Sequence, residues 1–95
     1  MFVIQLHFAD KSRAGELMSG HKEWIARGFD EGVFLLVGNL EPGLGGALLA
    51  HGASRGAIEA RVGEDPFVAE GVVTAAIHEI APSRTDARLE FLLRR

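Results

Sequence analysis

The chain has 95 residues and a mass of 10.2 kDa, enough for one hydrophobic core and too little for two. Apolar residues make up 47% and charged residues 24%, with a mean hydropathy of +0.14, which excludes a disordered chain and predicts one folded domain over 1–95, with 82–95 as a C-terminal tail. Ten Lys and Arg against thirteen Asp and Glu leave a net charge of −3, without the basic footprint that phosphate neutralisation needs, so no nucleic-acid partner is expected.

Phe2 to Phe8 alternates with period two. Phe2, Ile4, Leu6 and Phe8 share one face, and Val3, Gln5 and His7 share the other. The segment reads as a strand and not as a secretion signal, because Gln5 and His7 interrupt it and no basic stretch precedes it. Asp10 and Ser12 then offer helix caps, their side-chain oxygens suited to the free N–H groups of a first turn. Ala14, Leu17, His21, Trp24, Ile25 and Gly28 recur at three- and four-residue steps and predict a helix to about Glu31. Lys22, Glu23 and Arg27 fall off this stripe, with Glu23 and Arg27 at the spacing of a helical ion pair.

Val33 to Val37 reads as a buried second strand. It is also the longest unbroken apolar run, far short of the roughly 20 residues that cross a bilayer, so no membrane span is expected. A soluble, cytoplasmic protein follows from these features. Gly38 to Gly46 reads as a loop and Ala47 to Ala50 as a short third strand. Ser54 caps a second helix to about Val62, with Ile58 and Val62 buried and Gly63 as its stop. Asp65-Pro66 opens a helical turn that ends at Gly71, and Val72 to Ile80 forms the last strand. The tail is polar from Pro82, then apolar at Leu89, Phe91, Leu92 and Leu93, suited to its own domain or to a partner.

The order β-α-β-β-α-β predicts an α+β fold of ferredoxin-like type, a four-stranded antiparallel sheet with two helices on one face. The face carrying Val3, Gln5 and His7 is then too apolar to stand wholly in water, which predicts a homodimer with its sheets facing each other.

Few motifs carry chemistry. There is no cysteine, hence no disulfide, thiolate metal site or cysteine nucleophile. His7, His21, His51 and His78 lack the spacing that sets two imidazoles on one metal, so neither a metal nor a cofactor is expected. Gly43-Leu44-Gly45-Gly46 precedes a strand instead of opening a helix, which argues for a flexible connection and against a phosphate loop. No Gly-x-Ser-x-Gly elbow surrounds any serine. His21 is the residue that needs explaining. An imidazole in the apolar stripe costs desolvation unless its nitrogens find partners, and a backbone carbonyl is the plain structural partner. Asp65 has a structural role of its own as the cap of the turn at Pro66. Together they could do more, because a carboxylate on one ring nitrogen fixes the tautomer and makes the other nitrogen the better base.

At this point the sequence resembles the YciI-like, or YCII-related, proteins. The resemblance is carried by the strand at the extreme N-terminus, the lone central His21 in the first helix, Phe34-Leu35-Leu36-Val37-Gly38, and Asp65-Pro66-Phe67-Val68 followed by Gly71-Val72. It extends from Phe2 to about Pro82. It implies a dimeric α+β barrel, in which two ferredoxin-like sheets meet and enclose pockets near the interface, with His21 and Asp65 as an active-site dyad. One branch of that family dehydrochlorinates chlorinated hydroxyquinol-type aromatics. Gly38 would form one pocket wall, and Asn39 stands where many relatives carry proline.

The resulting expectation is a cofactor-independent enzyme moving protons on a small organic molecule by elimination, tautomerisation or hydrolysis. His21 is the general base and acid, Asp65 orients it, and Gln5, His7, Trp24 and Gly38 are candidate substrate-binding residues. The alternative is a non-catalytic binding or assembly module, in which His21 and Asp65 hold the turn at Pro66 against the first helix.

Overall fold

Strand β1 (Phe2–Phe8) lies inside the sheet because it pairs on both sides, antiparallel to β3 (Gly45–Ala50) and to β4 (Val73–Glu79). β2 (Phe34–Leu40) pairs antiparallel with β3 at the edge, giving the strand order β2-β3-β1-β4. A computed structural model describes residues 1–93, and Arg94 and Arg95 of the tail lie outside the described residues. The helices are α1 (Ala14–Asp30), α2 (Arg55–Gly63) and the single turn α3 (Pro66–Ala69). The protein is thus a small α+β structure with a four-stranded antiparallel sheet, compatible with a ferredoxin-like fold.

Register explains which face is covered. Ile4 stands opposite Leu48 and Ile77, and Phe2 opposite Ala50, so these side chains share the face that meets the helices. Trp24, Ile58, Val62 and Phe67 close over them in one buried cluster. Val3, Gln5 and His7 point to the other face, away from the buried cluster. Trp24 is fully buried, and its indole N–H donates to the Arg61 carbonyl at 2.8 Å, fastening α1 to α2.

Several boundaries differ from the sequence reading. Asp10 caps a 3₁₀ turn, Lys11–Arg13, and accepts the backbone N–H of Ser12 at 3.0 Å; α1 itself starts at Ala14. Ser12 is therefore not a cap. Among the described residues Glu23 and Arg27 make no ion pair, and Arg13 instead bridges Glu16 and Glu70. The loop expected over 38–46 shrinks to 41–44, because Gly38, Gly45 and Gly46 all join the ladder. Backbone pairing to β1 on one side and β2 on the other outweighs the poor strand propensity of glycine. Gly45 is required by sterics, since a Cβ there would run into the Leu6 carbonyl.

The last segment of the described tail, Ala87–Leu93, is a 3₁₀ helix with no buried residue. Its Phe91 ring stands edge-on to His51 at 5.2 Å, while Leu89, Phe91 and Leu93 remain exposed. Among the described residues no helix is long and apolar enough to cross a membrane.

The close approach of α1 to the sheet depends on Gly28, where a Cβ would overlap the buried Phe34 ring. Gly28→Ala should therefore cost about 1–3 kcal/mol through overpacking, although alanine is the better helix former. Urea denaturation measures this; unchanged stability would mean that the helix does not sit this close.

Candidate functional site

Asp65 is placed by local chain chemistry. α2 ends at Gly63, and Pro66 at the first position of α3 suits the fixed φ of that site. Asp65 is the extended cap residue before it, and its Oδ1 accepts the backbone N–H of Phe67 at 3.0 Å. The side chain is fully buried, and Oδ2 has no hydrogen-bond partner among the described residues.

His21 reaches it from α1. Its Nδ1 lies 2.8 Å from Asp65 Oδ1, although 44 positions separate the two along the chain. Gly20 makes room for this contact, because a Cβ there would press on Pro66 Cγ at 3.1 Å. The Phe67 ring stacks on the imidazole at 4.0 Å and within 5° of parallel, and Trp24 stands at 6.0 Å. The ring is held in position and in plane by three neighbours. The partner of Nδ1 is thus a carboxylate and not a backbone carbonyl. A carboxylate accepts, so in the neutral ring Nδ1 carries the proton and Nε2 keeps its lone pair.

Nε2 makes no hydrogen bond among the described residues, and it is not one of the sealed, unpartnered atoms of the interior. The His21 side chain is 14% exposed, and it lines a cavity of ≈ 300 Å³ between α1 and the sheet. Met18, Lys22 and Ile25 of α1 join it there. Leu6 and Phe8 come from β1, and Val37, Gly38 and Asn39 from β2. Gly46 and Leu48 of β3 form part of the floor, and Phe67 closes the inner end.

The cavity marks a part of the covered face that α1 does not fill. Phe8 and Val37 lie on that face yet remain 37% and 41% exposed. Gly46 stands opposite Leu6 and Asn39 on the same face, and contributes no side chain to fill the gap. Among the described residues no three His, Asp or Glu side chains converge as metal ligands would.

The structure brings His21, Asp65 and Gly38 to this region. Trp24 lies beneath it in the core, where it packs edge-on to Phe34 at 5.1 Å and does not line the cavity. Gln5 and His7 lie on the uncovered face of β1, away from this cavity. Sequence reasoning missed Lys22, which it set off the apolar stripe. The signal was present: Met18, Lys22 and Ile25 run at four- and three-residue steps along the flank of the His21 stripe.

No protein-family model matches the chain, and no curated protein matches it. Neither comparison identifies a YciI-like family, and that resemblance remains an expectation from the sequence elements alone.

Asp65 serves two contacts with one oxygen, which separates its substitutions. Asp65→Ala loses the cap, worth about 0.5–2 kcal/mol, and also leaves the imidazole without its acceptor. Asp65→Asn keeps an oxygen able to accept the Phe67 N–H and should cost clearly less. Denaturation of both variants measures the difference; an alanine variant as stable as the parent would remove Asp65 from any structural role.

Proposed function

We propose that the protein is a proton-transfer enzyme acting on a small organic molecule bound in the cavity beside His21. The observation that carries this reading is the Nδ1–Asp65 hydrogen bond next to a cavity that solutes can enter. Nε2 takes a proton from the bound molecule, and the buried carboxylate stabilises the imidazolium that results. The same nitrogen then returns the proton to a second atom of the molecule or to its leaving group. That cycle performs a tautomerisation or an elimination, and dehydrochlorination of a chlorinated hydroxyquinol-type ring is one instance that the resemblance to YciI-like proteins suggests.

The ferredoxin-like arrangement belongs to this reading, and so does pairing of two copies through the uncovered sheet face. Support for pairing comes from the apolar side chains there: Leu36 is half exposed, and Val3, Leu40 and Leu49 are only partly covered. In the dimeric α+β barrel that results, Gln5 and His7 lie between the sheets. The competing reading, a binding or assembly module, is favoured by one observation: capping of α3 already gives Asp65 a structural task.

Turnover separates the two. A panel of chlorinated catechols, hydroquinols and keto–enol compounds is offered to the purified protein. Any compound turned over by the parent should lose about 10²–10⁴-fold in kcat with His21→Ala, and a comparable part of that with Asp65→Asn, while both variants stay folded. Full activity in His21→Ala would reject the proton-transfer reading.

A further inference from the structure

Among the described residues, the wall of the cavity carries a single full charge. His21 and Asn39 are its other polar side chains, the rest being apolar side chains and glycine, and no carboxylate lines it, because Asp65 lies wholly behind the His21 ring. The charged residue is Lys22. Arg13, Arg55, Arg61 and Arg88 all pair with carboxylates, whereas Lys22 has no ion-pair partner among the described residues. A second ammonium stands close by, with Lys11 Nζ 4.7 Å from the centre of the Phe8 ring at the cavity wall. In a chain of net charge −3, two exposed ammonium-bearing side chains thus stand at the rim of apolar walls, where they can meet the charged end of a molecule seated on those walls.

We propose that the cavity selects a small planar organic carboxylate. Its anionic group sits against Lys22, with the Asn39 amide as a further donor, and its ring lies on the apolar surface of Phe8, Ile25 and Val37. Lysine suits this task as a mobile point charge with three donors. The volume, at the lower end of the range for ligand sites, limits the molecule to single-ring size. The inference rests on the cavity being the substrate site of the proposed enzyme, and names the class of molecule it takes.

Benzoate and its neutral isostere benzamide test this by NMR titration of the whole chain. Benzoate should bind at least about tenfold more tightly than benzamide, the worth of one hydrogen-bonded charge. Lys22→Met should bring the two probes to parity, Lys22→Arg should keep the preference, and added salt should weaken it. Gly46→Leu should exclude both probes from a folded protein, since a Cβ there meets only the Gly38 carbonyl oxygen, at 3.4 Å. Equal affinity for the two probes, a preference that survives Lys22→Met, or no binding of either probe at millimolar concentration would overturn the proposal. His21→Ala keeps this test apart from that of the proton-transfer reading. It should lower turnover as stated above and leave the preference for benzoate in place; loss of the preference in His21→Ala but not in Lys22→Met would assign the anion to the imidazole and overturn the proposal.

Discussion

A carboxylate without access to water must be answered by donors, and the arrangement around Asp65 follows from that requirement. An unpaired buried charge costs several kcal/mol, so the Asp65 side chain is tenable only where the Phe67 N–H and the His21 ring meet it. Those two donors come from different elements. Satisfying one oxygen therefore fixes the distance between α1 and α3, and with it the plane and the tautomer of the imidazole. Gly20 against Pro66 and the Phe67 ring against His21 are the close contacts that this meeting demands.

The cavity has a separate origin. α1 lies tightly on the sheet near its C-terminal end, where Gly28 meets Phe34. Elsewhere on the covered face Phe8 and Val37 remain partly exposed, and Gly46 adds no side chain. The space is thus a part of the core face that the side chains of α1 leave unfilled. Its walls are apolar because they are an extension of the core face, and its chemistry comes from the few α1 side chains that look into it.

Most of the sheet was legible in the sequence. The alternation Phe2-Ile4-Leu6 marked β1 and its covered face, and the β-branched run after Val72 marked β4. The boundaries of β2 and β3 were not legible, since Gly38, Gly45 and Gly46 have no propensity that announces a strand; only pairing to β1 and across the hairpin draws them in. The pairing of His21 with Asp65 was suggested by a resemblance and by the misfit of an imidazole in an apolar stripe, but a separation of 44 residues leaves no periodic signal. Gln5 and His7 illustrate the limit from the other side. Their face was legible from alternation, whereas the location of the cavity depends on which part of the covered face the helices leave unfilled, which no local pattern records. Lys22 was missed because a charged residue at the edge of a stripe reads as solvated until a cavity is seen beside it.

The central claim is that Asp65 holds the proton of the neutral His21 ring on Nδ1 and leaves Nε2 free towards the cavity. Long-range ¹H–¹⁵N NMR of that ring reads this directly. The neutral ring should show a protonated Nδ1 and a bare Nε2, with the balance moving towards the other tautomer in Asp65→Ala, which removes the acceptor. A proton on Nε2 in the parent protein, or a spectrum that Asp65→Ala leaves unchanged, would contradict it.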